Sequence, residues 1–306
     1  MININKYLED GYLVVPNIIS TSEADEISED IIKICRGVYP CSMDFYNHFE
    51  NWKDEDILNF IGNLRWPHTV SPVIRHYMKH KNIKKYLQEL PGAHLYGWNG
   101  KVKCMLSQLF SRPPDSNGQA WHQDEYWIPT RDRSVTAIWI ALEDVTVDNG
   151  CLWVIPKSHK DGIVYPMRKK TKDECNYWDE ADVCYNFPNE ETKIPIEMKK
   201  GDAAFWNGYT IHGSFKNTTE DSYRRALVFH YMNSSTQLIW KSKGNDPDAE
   251  YAYSDTNKYP EPVNDCREVE QIIGEDPLWW KPTYNNDKMV AMTIEDIKKE
   301  NEKITK

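Results

Sequence analysis

His122-Gln123-Asp124, followed about ninety residues later by His212 and then by Arg224, is the grouping in this chain that holds the most chemistry. Successive residues of a strand alternate sides, so an H-x-D pair on a strand presents its imidazole and its carboxylate on one face. A histidine from a second strand then completes a set of two imidazoles and one carboxylate. Such a set covers one face of an octahedral metal and leaves the opposite face open, the ligand arrangement expected of a non-heme Fe(II) oxygenase. Co-substrate and oxygen would occupy the open positions. The competing reading is a histidine hydrogen-bonded into an ordinary β core, which an isolated H-x-D motif also permits.

A β scaffold must position these residues, and the chain takes on β character from about Lys101. Val102–Phe110, Val135–Leu142, Cys151–Ile155, Ile194–Met198, Ala203–Trp206 and Ala226–Tyr231 read as strands, each bounded by Gly, Pro, Asn or Asp. Asn149-Gly150 between two apolar runs predicts a type I′ hairpin, since both residues accept positive φ. Many short strands separated by turns predict a sandwich or jelly roll, with the metal candidates on or beside its strands.

Upstream, Ser22 is expected to cap a helix in which Ala24, Ile27, Ile31 and Cys35 recur at helical spacing, with Glu23, Asp25 and Glu26 suiting its positive end. Asp54 to Leu90 carries further helical patterning, broken at Pro67 and Pro72 and ended by Pro91-Gly92. The polar stretch from Lys157 to Glu191 contains Lys157, Lys160, Arg168, Lys169, Lys170 and Lys172. A connection of that length is a lid or binding loop, or else a mobile solvated one. Beyond Trp240 the chain is polar until Thr293-Ile-Glu-Asp296, which resembles a capping box opening a terminal helix.

With 306 residues, 40% of them hydrophobic and 12% aromatic, the chain can bury a sizeable core, and one domain is the simplest count. A net charge of −10 argues against a general nucleic-acid binder, which needs basic surface to neutralise phosphates. The seven cysteines show no C-x-x-C spacing and leave one over if paired, so reduced thiols in a cytoplasmic setting fit better than a zinc site or a disulfide framework. Charged residues within Met1 to Asp10 and the lack of a long apolar run predict neither a signal peptide nor a membrane span. No nucleic acid and no membrane are expected as partners, and the oligomeric state is left open.

Taken together, the motifs resemble the phytanoyl-CoA dioxygenase family of the Fe(II)/2-oxoglutarate oxygenase superfamily. The resemblance extends to about Asn233 and rests on Asp10-Gly-Tyr-Leu-Val-Val-Pro16, Arg112-Pro-Pro-Asp-Ser116, Trp121-His-Gln-Asp124 and Trp139-Ile-Ala-Leu-Glu143. It continues through Asp148-Asn-Gly-Cys-Leu-Trp-Val-Ile-Pro-Lys-Ser-His-Lys160, Gly201-Asp202, His212-Gly-Ser214 and Arg224-Arg-Ala226.

What this resemblance implies is a mainly β fold, a double-stranded β-helix (cupin-like jelly roll) with flanking α-helices. Residues 1–306 then form a single domain: a mostly helical part over 1–100, the β-helix core over 101–235 with a lid-like insertion at 157–191, and a C-terminal extension over 236–306. His122, Asp124 and His212 are implied as the ligands of Fe(II). 2-Oxoglutarate would chelate the metal and O2 would follow. The far carboxylate of the co-substrate would meet Arg224, whose planar guanidinium makes two parallel charge-assisted hydrogen bonds. Ser214, Gln108 and Trp139 match positions lining that pocket in relatives, with ordinary strand packing as the alternative.

Arg224 and Arg225 are adjacent, and only one can face inward; the family alignment favours Arg224, although one extra residue separates it from His212. Relatives that halogenate carbon carry a small residue at the carboxylate position, whereas Asp124 is present here, which favours hydroxylation of an unactivated C–H with release of succinate and CO2. Trp121, Tyr126, Trp127 and Trp153 are candidates for the wall that excludes water, with core packing the alternative. The substrate class expected is a small soluble metabolite, with the basic stretch after Lys157 a possible contact for a local phosphate or carboxylate. A cupin-like metal-binding or sensing protein without turnover is the second reading, and a structural role with an incidental triad the third.

Overall fold

The computed structural model describes residues 2–39, 49, 51–130, 132–174, 177, 182–236, 269–275 and 277, with the backbone of 283–285 and 288–290. The first hundred residues supply α1 (Ile4–Asp10), β1 (Tyr12–Val15), α2 (Thr21–Cys35), α3 (Asp54–Phe60), β2 (Asn63–Arg65), α4 (Pro67–Val70), α5 (Pro72–Met78) and α6 (Lys81–Leu87). Most of the regular structure described in this region is helical, and it also contributes two strands to the main sheet. Pro67 and Pro72 open helices rather than merely interrupting one, because the missing N–H is not needed in a first turn. The cap of α2 is Ser20, not Ser22: Ser20 Oγ accepts the Glu23 N–H at 3.2 Å, and the Glu23 carboxylate accepts the Ser20 N–H at 2.7 Å. That reciprocal pairing satisfies two otherwise orphaned donors, which a helix starting later would leave open.

Then follow β3 (Val102–Arg112), α7 (Asp124–Trp127), β4 (Thr136–Ala141), β5 (Leu152–Val154), β6 (Met167–Lys169), β7 (Asp182–Cys184), β8 (Ile194–Ile196), β9 (Ala203–Asn207), β10 (His212–Ser214), β11 (Arg224–Asn233), β12 (Glu270–Ile273), β13 (Thr283–Asn285) and β14 (Lys288–Val290). The larger, antiparallel sheet has the order β1-β9-β4-β11-β3-β12, with β2 also on β3. A smaller sheet runs β10-β5-β8, extended by bridges between His122 and His212 and between Val145 and Met198. Two facing antiparallel sheets of this kind make the jelly roll, and the expected strands all lie in it. The terminal capping box at Thr293 falls outside the described residues.

Period-two alternation sorts the large sheet into two faces. Leu227, Phe229 and Tyr231 of β11, with Ile138 and Ile140 of β4 and Phe205 of β9, pack against Ile27, Ile31 and Ile34 of α2 and Ile74 and Tyr77 of α5. Ala226 and Val228, Ala137 and Trp139, and Ala204 and Trp206 point the other way, into the roll, where Leu152 and Val154 of the small sheet meet them. The helices cover one side of the sheet so that the other is free to build a site. Among the described residues no helix is long and apolar enough to cross a membrane.

Asn149-Gly150 does not close a type I′ hairpin. β4 lies in the large sheet and β5 in the small one, and of the two turn residues only Gly150 has positive φ, at 85°. Asn149 is buried and holds the crossing between sheets with its side chain, accepting from Thr146 N–H at 2.9 Å and donating to Asp144 O at 2.9 Å. Cys35, Cys104, Cys151 and Cys184 are free and buried.

Candidate metal centre

The segment 119–122 runs antiparallel to β10. His122 N–H donates to His212 O at 2.9 Å and His212 N–H to His122 O at 3.0 Å, so the two residues exchange both backbone bonds and their rings lie with centroids 4.1 Å apart. Each imidazole places its Nδ1 on a nearby carbonyl, His122 on Ala120 O at 2.8 Å and His212 on Thr210 O at 2.9 Å. A carbonyl only accepts, so Nδ1 carries the proton in both and each Nε2 lone pair is left for a metal. The Gln119 side-chain nitrogen lies 3.1 Å from His122 Nε2.

Asp124 does not continue a strand. Gln123 is extended, at φ −124° and ψ 132°, and Asp124 opens α7, so the same-face geometry holds for the step from His122 to Asp124 while the chain turns helical immediately afterwards. Asp124 Oδ1 lies 3.8 Å from His122 Nε2 and 3.6 Å from His212 Nε2, and the three ligand atoms fall within 4.8 Å of one another. Its Oδ2 accepts the Trp206 Nε1–H at 2.8 Å and lies 3.3 Å from His230 Nε2.

Burial pushes the His122 ring down to about 3, helped by His212, and lowers His212 also, so both are neutral ligands at physiological pH. Burial alone would raise the Asp124 carboxyl, but the imidazoles of His212, His230 and His122 outweigh it and hold it below the usual carboxylate range. Two neutral imidazoles and one carboxylate, converging from three directions on a buried point, fit a divalent metal of the iron type.

Next to this group, alternation on β11 decides between the two arginines. Arg224 shares the inward face with Ala226 and Val228. Its side chain sits over Trp139, 5.7 Å from the ring, and donates to Ser214 Oγ at 3.3 Å. It is 4% exposed, its Nε has no partner, and no carboxylate pairs with it among the described residues. Arg225 faces the other way, where its Nε pairs with Glu143 and its backbone N–H reaches the same carboxylate at 2.7 Å. Gln108 is partly buried on β3 opposite Val228, on the roll side of the sheet. Thus Arg224, Ser214, Trp139 and Gln108 all stand toward the interior that holds the triad.

The close fit of segment 118–122 against β10 rests on Gly118. A Cβ there would lie 2.1 Å from Ser214 O and 2.6 Å from the Phe215 carbonyl carbon. Gln119 N–H donates to Ser214 Oγ at 2.9 Å, so one serine ties the metal segment to the arginine.

The expected aromatic wall is only half present. Trp127 stands edge-on to His122 at 6.0 Å between centroids, and Tyr126 packs on Trp127 at 4.8 Å. Trp121, however, lies on the outer face of the small sheet with Phe187, Phe215 and Tyr165, one residue out of phase with inward His122. Trp153, next to inward Val154, stands edge-on to Phe215 and packs against both the inner and the outer apolar clusters.

In the 157–191 stretch, β6 and β7 pair with each other; Cys184 N–H donates to Trp121 O at 2.8 Å, and the Gln123 amide holds Ile163 O at 2.9 Å and Tyr165 N–H at 2.7 Å. Four of its cations pair within the chain, Lys157 and Lys160 both with Glu9, Arg168 with Glu174 and Lys169 with Asp182, and Lys170 Nζ donates to Tyr177 O at 2.9 Å. Part of the expected basic contact for a phosphate or carboxylate is therefore taken up within the chain.

Two residues near the site escaped the sequence reading, Trp206 and His230. The signal for His230 was available, since it lies six positions after Arg224 on a strand and so shares its face.

The sequence profile of the phytanoyl-CoA dioxygenase (PhyH) family matches residues 7–226. Phytanoyl-CoA dioxygenase 1 of Oryza sativa subsp. japonica is 32% identical over 178 residues, a span covering 58% of this chain and 58% of that protein's length. The peroxisomal phytanoyl-CoA dioxygenase of Bos taurus is 24% identical over 241 residues, 76% of this chain and 68% of that one. Among solved structures, the epimerase SnoN in complex with Fe3+, α-ketoglutarate and nogalamycin RO has the same fold, with a TM-score of 0.57 at 20% identity over 80% of this chain and 91% of that chain. The chain belongs to the phytanoyl-CoA dioxygenase family, and so to the Fe(II)- and 2-oxoglutarate-dependent oxygenases.

Proposed function

We propose that this protein hydroxylates an unactivated C–H bond of a small metabolite, with His122, Asp124 and His212 holding Fe(II) and Arg224 holding the far carboxylate of 2-oxoglutarate. The observation that carries this reading is Arg224 itself: a buried guanidinium with one neutral hydrogen bond, to Ser214, and no carboxylate partner among the described residues, standing beside an open metal triad. Burying an unpaired cation is costly, and a dicarboxylate entering from solvent supplies the missing partner. With metal, co-substrate and O2 bound, the site supplies an oxidation that inserts one oxygen and releases succinate and CO2.

The chain's own contribution is placement. The Nδ1–H bonds to Ala120 O and Thr210 O orient the two imidazoles, and Ser214 and Trp139 orient the guanidinium. Trp127, packed with Met105, Leu106, Ile128 and Met232, gives the His122 side of the site an apolar flank suited to hydrocarbon. That flank favours a substrate presenting an uncharged C–H to the metal. Gln108 is proposed to line the co-substrate pocket with Arg224 and Ser214, and the 157–191 stretch to cover the entrance. Buried free thiols support a cytoplasmic location, although the bovine relative is peroxisomal.

The test is metal analysis of the purified protein, followed by a screen for small molecules that stimulate succinate formation from 2-oxoglutarate under air. Products would be read by mass spectrometry for a gain of one oxygen. Stoichiometric metal without 2-oxoglutarate binding would instead favour a cupin-like binding protein.

A further inference from the structure

We propose that His230 is the positioning residue that keeps Asp124 a one-oxygen ligand. The proposal rests on the reading of His122, Asp124 and His212 as the metal set. His230 lies on the inward face of β11, 3% exposed, with Nε2 at 3.3 Å from Asp124 Oδ2 and Nδ1 without a partner among the described residues. An ionised carboxylate only accepts, so Nε2 must carry the hydrogen and Nδ1 is bare.

This is the opposite tautomer to that of His122 and His212, whose Nδ1 hydrogens go to Ala120 O and Thr210 O. Three imidazoles in one buried site are thus divided by their hydrogen-bond partners. Two offer an Nε2 lone pair, and the third offers an Nε2–H, which makes it a donor to the carboxylate and not a ligand through that atom.

The consequence falls on Asp124. Its Oδ2 accepts the Trp206 Nε1–H at 2.8 Å and has His230 Nε2 3.3 Å away, both on the large sheet, while Oδ1 alone faces His122 and His212. A carboxylate free to rotate can chelate a metal through both oxygens, and in a six-coordinate site that would remove one of the positions an incoming ligand needs. The Trp206 hydrogen bond and the close His230 imidazole on that one oxygen oppose the rotation. A leucine at 230 would fill the same space with no unsatisfied atom, whereas the bare Nδ1 of histidine carries a desolvation cost. What the imidazole adds in return is the hydrogen on Asp124.

Two measurements test this. In the Zn(II)-loaded wild-type protein, 15N-histidine spectra, with the His230 signals assigned by their loss in His230→Gln, should show a hydrogen on His230 Nε2 and hydrogens on Nδ1 of His122 and His212. A bare Nε2 at His230 overturns the proposal. In anaerobic Co(II) titrations, His230→Phe should bind about 10- to 100-fold more weakly than wild type, the range seen when partners of metal ligands are removed. His230→Gln, which retains an N–H, should stay within a few-fold. Wild-type affinity in His230→Phe, or an equal loss in His230→Gln, refutes positioning by hydrogen bonding; if His230→Phe does not fold, the spectra decide. His122→Ala run alongside separates the two levels: if it keeps full affinity the metal set itself is wrong, and if it loses affinity while His230→Phe does not, only the role of His230 fails.

Discussion

Replacing Arg224 by methionine should move stability and co-substrate affinity in opposite directions. In the free protein this guanidinium is buried, is pulled down to about 10 by burial while remaining charged at neutral pH, and has one hydrogen bond among the described residues, at 3.3 Å. A methionine of similar length relieves that desolvation, so the thermal midpoint of Arg224→Met without ligands should be unchanged or higher. The far carboxylate of 2-oxoglutarate would then enter a buried pocket with no cation. Breaking a buried ion pair from one side costs about 3–5 kcal/mol. At about 1.4 kcal/mol per tenfold, this predicts a rise of roughly 10²- to 10³-fold or more in the 2-oxoglutarate needed for half-saturation.

Arg225→Met should do the reverse. It strands Glu143, a carboxyl already raised by burial, at roughly 1–3 kcal/mol of stability, and leaves 2-oxoglutarate binding within a few-fold. Calorimetric titration of the anaerobic metal-loaded variants with 2-oxoglutarate, paired with thermal unfolding, reads both quantities. If Arg225→Met loses co-substrate and Arg224→Met loses only stability, the assignment of the inward face is wrong.

His122→Ala and His212→Ala should each lose most Fe(II) affinity while keeping the wild-type circular dichroism spectrum; stoichiometric iron and full turnover in either would remove them from the ligand set. His68, 2% exposed with its Nδ1 2.5 Å from Ser107 Oγ, is pushed down to about 4 by burial, against about 6.5 in an unfolded chain. The unfolded state therefore binds a proton that the folded state refuses. The stabilisation is full above about pH 6.5 and is lost as the pH falls toward 4, by about 3 kcal/mol in all. Urea unfolding at pH 7 and pH 4.5 should show wild type losing about 2 kcal/mol more than His68→Gln, and parallel losses would contradict the burial argument. Gly118→Ala drives a Cβ to 2.1 Å from Ser214 O and should displace the segment carrying His122, weakening metal binding along with about 1–3 kcal/mol of stability; an unchanged metal titration would show that the segment adjusts freely. Hydrogen exchange on the anaerobic Fe(II) protein should show added protection across 157–191 when 2-oxoglutarate and substrate are both present, and identical exchange would leave that stretch without a covering role.

The sequence was most informative where a local period and a long-range motif agreed. Val102–Phe110 and Ala226–Tyr231 could be recognised as strand-like runs bounded by turn residues, and His122, Asp124 and His212 from residue types that one metal geometry requires. Edge strands were harder to see, since Tyr12–Val15 and Asn63–Arg65 are short and gain their identity only from a partner far along the chain. Direction was also hidden in places. Trp121 and Trp153 have the right chemistry for a wall, but which side of a strand they occupy depends on a register that composition does not report. The same register argument, carried four residues past Ala226, would have exposed His230.

The pairing of β1 with β9 joins Tyr12 to Trp206 and Val15 to Ala203. On a ribosome the first strand is made long before its partner, and it must remain unpaired until most of the roll has emerged. Sheets closed by such distant pairings fold slowly, because the entropy of closing the loop is lost before the contacts form. Until that closure, β9 is an open edge, and its residues Ala203, Ala204, Phe205 and Trp206 make an apolar ribbon able to template another chain. Nascent or N-terminally nicked protein should thus be the aggregation-prone species, and chaperone demand during synthesis should end when β1 docks.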